Sequence, residues 1–109
     1  MNHEILSKSS LDSWYNHSFS LNVNMTDDFF NKINSNIKFY SFWLDCLNKF
    51  RNADWGDITK EDWKLNNSAL KKQTYQFTAI YKNQNYGNVI IQSDFKTATV
   101  SFCKGSQKN

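Results

Sequence analysis

The chain of 109 residues contains no proline, only three glycines, two cysteines, two histidines and a single arginine. Each scarcity excludes something. Gly56, Gly87 and Gly105 are too scattered to form a glycine-rich loop that cradles phosphate. Without a Pro- or Gly-rich interior run, nothing divides the chain into two domains. Twelve of the 13 basic residues are Lys, and Arg51 is the exception. Bidentate recognition of bases and phosphates favours Arg, so specific DNA readout is not expected. Cys46 and Cys103 lie 57 positions apart, and neither has a second Cys or a His at metal-ligand spacing, so both are expected as reduced thiols. The start of the chain lacks the apolar core of a signal peptide, and no apolar run approaches the roughly 20 residues of a membrane span. A cytoplasmic location is therefore expected.

What the chain has in excess is aromatic rings. Nine Phe, five Tyr and four Trp make up 17% of the residues. Each large ring buries about 150–250 Å², so a core is feasible with few aliphatic side chains, and rings remain for a surface. The net charge of +3 is too small for a dedicated nucleic-acid binder. It is also of the wrong sign for a mimic of DNA.

Residues 1–17 carry Leu6, Leu11, Trp14 and Tyr15 without a clean period and are expected as a lead-in, a short helix or irregular. Residues 18–104 are expected to form a single α+β domain, and 105–109 a loose tail. In Ser18–Met25, "SFSLNVNM", the strict alternation of Phe19, Leu21, Val23 and Met25 predicts a half-buried strand. Thr26, with Asp27 and Asp28 behind it, predicts a capped helix to about Asn34. Phe39, Phe42, Trp43, Cys46, Leu47 and Phe50 recur at three- and four-residue steps, which predicts the principal core helix over Ile37–Phe50. Thr59 repeats the capping logic before a third helix, Lys60–Lys71, with Trp63 and Leu70 inward. Three strands follow, "TYQFTAIY", "NVIIQ" and "TATVSF", with "KNQNYG" as a hairpin turn. The expected fold is a small α+β domain with an N-terminal strand, two or three helices and a three-stranded antiparallel meander, the helices on one face.

The stretch "RNADWGDITKEDWKLNNSAL" gathers Trp55, Trp63, Gly56 and the carboxylates of Asp54, Asp57, Glu61 and Asp62. Together with "YQFTAIY" and "GNVIIQSDFKTATVSF" it resembles a family of small uncharacterised proteins carried on bacterial plasmids and phages. That family joins a DWGD loop to an acidic, Asn-containing helix, an LLSAY-like strand and a segment of the type D-R-S-x-T-T. Asp54, Trp55, Gly56 and Asp57 match the loop, and Glu61, Asp62, Asn66 and Leu70 the helix. Ala79 and Tyr81 match the first strand, and Asp94, Thr97 and Thr99 the last segment. Two positions depart from the pattern: Phe50 stands where the family often has His, and Phe95 displaces the basic residue to Lys96. The resemblance implies a mobile-element setting and a small α+β fold, and no reaction.

Three readings of the loop follow from residue chemistry. In the structural one, Gly56 permits a tight turn, Asp54 or Asp57 caps backbone, and Trp55 plugs the core. In the binding one, aromatic anchors with flanking acid dock a partner, and the residues expected to carry it are Trp55, Asp57, Trp63, Trp14 and Tyr15. In the third, the four acids hold a divalent metal or divide acid and base roles. Glu61 and Asp62 are adjacent in a helix and diverge by about 100°, which weakens that site. His3 and His17 have no Ser or Cys at a telling spacing, so no nucleophilic triad is expected. Asp94 beside Thr97 reads as a turn cap. Lys60, Lys64, Lys71 and Lys72, with Lys104 and Lys108, form either a solvated face or a weak nucleic-acid surface. The expectation is a protein without catalytic residues, metal or cofactor, which inhibits a host protein by binding it. A defence effector, CRISPR or restriction, is the expected target. A Lys-bearing accessory to nucleic acid is the second reading, and a metal-dependent enzyme the third.

Overall fold

The computed structural model describes residues 6–103. His3, Gly105, Lys104, Lys108 and the tail therefore lie outside the described residues. Within them the elements run α1 (Lys8–Ser18), β1 (Asn22–Met25), α2 (Asp27–Ser35), α3 (Ile37–Arg51), α4 (Lys60–Lys71), β2 (Phe77–Tyr81), β3 (Val89–Ser93) and β4 (Thr97–Phe102). This is the expected α+β class, with two differences.

The first concerns the sheet. β2, β3 and β4 form the antiparallel meander, but β1 joins it alongside β4 in parallel, giving a mixed sheet in the order β1-β4-β3-β2. The strand predicted over Ser18–Met25 is also shorter, because Ser18 ends α1 and Phe19 caps it. The second difference is the helix count. The segment expected as a lead-in supplies α1, whose N-cap Ser7 accepts a hydrogen bond from the Ser10 N–H. Trp14 of this helix is fully buried in the core.

The caps also behave unequally. Thr59 Oγ1 accepts from the Asp62 N–H at 3.1 Å, as expected. Thr26 makes no such cap: its hydroxyl donates to Asp28 Oδ1, which itself accepts from the Phe29 N–H.

Alternation along the strands turns Phe77, Ala79, Tyr81, Val89, Ile91, Ala98 and Val100 to the helices, where all are buried. α3 lays Phe39, Trp43, Cys46 and Phe50 against them, and α2 adds Phe29. The other sheet face carries a polar cross-strand row, Asn24, Thr99, Gln92 and Thr78, beside the half-buried pair Ile80 and Ile90. The core is largely aromatic: Trp14 meets Phe77 edge-on at 4.8 Å and Phe50 at 5.4 Å, and Trp55 lies 4.3 Å from Phe77. Burial of the Cys46 thiol within α3 pushes it up to about 12 from an ordinary 9.0. Cys46 and Cys103 are both free.

Candidate functional site

The DWGD loop begins where α3 ends. Ala53 adopts a left-handed φ of 62°, and the Asp54 N–H reaches back to the Lys49 carbonyl, which turns the chain sharply. Asp54 Oδ1 then accepts from the Gly56 N–H. Gly56 has φ 80°, and a Cβ there would run into the Ile80 carbonyl oxygen and the Tyr81 ring, so only glycine fits. The reason for the close approach is that the loop pairs with β2. The Trp55 carbonyl accepts from the Ile80 N–H, and the Asp57 N–H donates to the Ile80 carbonyl at 2.6 Å. Asp57 Oδ2 takes the Lys82 N–H. Asn66, on α4, closes the next position by accepting from the Thr78 N–H and donating to the Thr78 carbonyl.

Together these groups cover the outer edge of β2, which would otherwise offer unpaired backbone to other chains. Tyr81 ties the strand to the loop by donating its hydroxyl to the Asp54 carbonyl at 2.7 Å, and burial holds that phenol in its neutral form. Trp55 fills the space behind the loop with none of its surface exposed, its indole donating to Asn67 Oδ1. Thus Asp54, Trp55, Gly56, Asp57, Asn66 and Tyr81, all carriers of the resemblance, form one hydrogen-bonded lock.

This geometry corrects part of the expected binding site. Trp55 and Trp14 are fully buried, with their indole N–H groups satisfied by Asn67 and by the Phe50 carbonyl, so neither ring can reach a partner. Trp63 is half-buried and packs against the core. Tyr15 is exposed and stacks edge-on with Phe19. Asp57 keeps an exposed carboxylate, one oxygen of which caps Lys82. Lys60, Lys64, Lys71 and Lys72 are all exposed along α4 and its end, interspersed with Glu61 and Asp62. Among the described residues, no group of three His, Cys, Asp or Glu could hold a metal ion. Asp94 is a turn cap: its Oδ1 accepts from the Lys96 and Thr97 N–H groups, and these bonds hold its carboxyl below the usual range.

The exposed rings and aliphatics gather elsewhere. α3 carries a second apolar stripe, Ile37, Tyr40 and Leu44, which runs on through half-buried Leu47 to Arg51. By helical period this stripe lies about a third of a turn round from the core-facing residues. Ile37 is 78% exposed, Leu44 45% and Tyr40 40%. At its end the Arg51 guanidinium sits 4.0 Å over the Phe19 ring, itself 56% exposed, beside Val23 of β1. The signal in the sequence is a helix with more apolar positions than one buried face requires. No membrane-spanning helix is present among the described residues. No protein-family model, no curated protein and no solved structure matches this chain.

Proposed function

We propose that this protein is a small non-enzymatic binding factor that acts by occupying a surface of another protein, docking through α3 and the adjoining end of α1. The observation that carries the reading is the Ile37–Tyr40–Leu44 stripe, a row of large apolar side chains on a helix whose core face is already filled by Phe39, Trp43, Cys46 and Phe50. Leaving such a row in water is costly, at about 25 cal/mol for each Å², and contiguous apolar patches on small domains mark contact sites. The resemblance to the plasmid- and phage-borne DWGD proteins suggests a mobile-element setting, and within it we propose a host-cytoplasmic factor that inhibits a host protein, with a CRISPR or restriction effector as the target. In this setting the DWGD loop is the scaffold and α3 the binding face.

The test is affinity capture from host lysate with nuclease and moderate salt present, using the wild-type chain beside Ile37→Glu and Leu44→Glu. One stoichiometric protein held by the wild type and lost by both variants is the expected result. Retention by the variants would sink the reading. Recovery of nucleic acid alone, lost as salt rises, would favour the Lys-bearing face of α4 instead.

A further inference from the structure

The two edges of the sheet are treated differently, and the difference identifies what the binding face takes. β2 is covered along its whole outer edge by Trp55, Asp57 and Asn66. β1 is not covered. In its parallel pairing with β4, Asn22 and Thr26 donate to the Lys96 and Val100 carbonyls at 2.9 and 3.1 Å. Alternation then turns the N–H and C=O of Val23 and Met25 away from the sheet. Among the described residues neither makes a hydrogen bond on that side.

Beneath this edge lies a small apolar crevice of about 10 Å³, lined by Leu21, Val23, Trp43, Leu47 and Arg51 among others. The Arg51 Nε is shut off from solvent and has no hydrogen-bond partner, while the neighbouring Phe19 ring contacts the guanidinium face. The ion pair found among the described residues is Lys8–Asp12, far along the chain from it. With Nε enclosed and no hydrogen bond made by the half-buried guanidinium among the described residues, its two Nη groups are the donors left, and a carboxylate meets them by accepting two parallel N–H bonds.

We propose that the edge of β1 receives an extended acidic segment of the partner polypeptide as a fifth strand, whose backbone pairs with Val23 and Met25 and whose carboxylate bonds Arg51. This rests on the binding reading above and specifies its partner. Strand addition draws affinity from the main chain and selectivity from alternate side chains. Here one inward apolar side chain would pack over the rim of the crevice at Leu21 and Leu47, with the acid on the same face toward Arg51. The net charge of +3 favours an acidic partner over a basic one.

The probe is a set of ten-residue peptides of alternating Val and Thr with one central Glu, its Gln counterpart, and a version N-methylated at alternate residues. They are titrated into the full-length 15N-labelled chain. Expected are slowed amide exchange at Val23 and Met25, tighter binding of the Glu peptide than of the Gln peptide by about five- to tenfold, and loss of binding on N-methylation. Arg51→Gln should abolish the Glu preference while peptide still slows exchange at Val23 and Met25. Val23→Pro removes one outward N–H while sparing the bonds to β4, and should weaken every peptide.

Unchanged exchange at Val23 and Met25 with every peptide overturns the proposal. So does a Glu preference that survives in Arg51→Gln. Protection that appears without peptide and grows with protein concentration also overturns it, since a second copy would then hold the edge. Peptide-induced shifts confined to Ile37 and Leu44 would remove the strand-addition proposal and leave the binding reading standing. Loss of that reading is instead seen in the capture experiment with Ile37→Glu and Leu44→Glu.

Discussion

The Trp55 indole donates to Asn67 Oδ1, in the second half of α4, at 3.0 Å, and both side chains are buried. This bond joins the DWGD loop to the helix that follows it. Asn67→Ala leaves a buried indole N–H without an acceptor, which should cost about 1–3 kcal/mol. Urea unfolding followed by Trp fluorescence should show a lower midpoint at constant m-value. A midpoint equal to wild type would mean that Trp55 is held by packing alone.

At Gly56 the backbone leaves no room for a side chain. Gly56→Ala meets both a left-handed φ and the Ile80 carbonyl and Tyr81 ring, so the loop must leave β2 to accommodate it. We expect a loss of at least about 2 kcal/mol, since strain and two backbone bonds are involved. Faster amide exchange at Ile80 and Lys82, whose N–H groups bond to the loop, would locate the damage.

Gln73 offers the opposite case. It follows α4 with φ 59° and an exposed side chain, while the Thr74 N–H closes the helix end onto the Ala69 carbonyl. Glycine is the residue suited to this position, so Gln73→Gly should stabilise the fold by about 0.5–1 kcal/mol. A rise in Tm is the readout, and a fall would show that the Gln73 side chain contributes more than its backbone strain costs.

Helix α1 belongs to the core through Trp14, whose ring contacts Phe50, Tyr75 and Phe77 and whose N–H bonds the Phe50 carbonyl. Loss of a buried Trp costs about 3–5 kcal/mol, against a total stability of about 5–15 kcal/mol for a small domain. A chain beginning at Ser18 should therefore lose cooperative thermal unfolding and near-UV circular dichroism.

Cys46 gives a pH dependence whose sign can be worked out. Its folded value, about 12, lies above the ordinary 9.0, so above pH 9 the unfolded chain releases a proton that the folded chain keeps. Stability is thus fully present below pH 9 and declines as pH rises towards 12, by up to about 1.4 kcal/mol per pH unit. Tyr81, raised in the same direction by burial, adds to the decline at its upper end. Cys46→Ala should flatten the slope between pH 9 and 11 in denaturant titrations, and an unchanged slope would mean that the thiol ionises within the fold.

The sequence by itself determined the local elements. The three- and four-residue spacing from Phe39 to Phe50 determined α3, the Thr59 cap fixed the start of α4 at Lys60, and the alternation in "TATVSF" marked β4 from Thr97 to Phe102. Such signals are carried by neighbours in the chain, so the residues alone suffice. Tertiary structure decided what those elements meet. Nothing local says that β1 lies parallel to β4, because that pairing is made across more than seventy residues. Nor does local pattern place Trp14 beside Phe77, or make Trp55 a core residue rather than a surface anchor: an aromatic ring is equally suited to both, and only the backbone that folds over it settles the matter. The same holds for the α3 stripe, since the number of apolar faces a helix buries depends on how many neighbours pack against it. α3 packs on the sheet through Phe50 and the core cluster and on α2 and α1 elsewhere, which leaves Ile37, Tyr40 and Leu44 facing water.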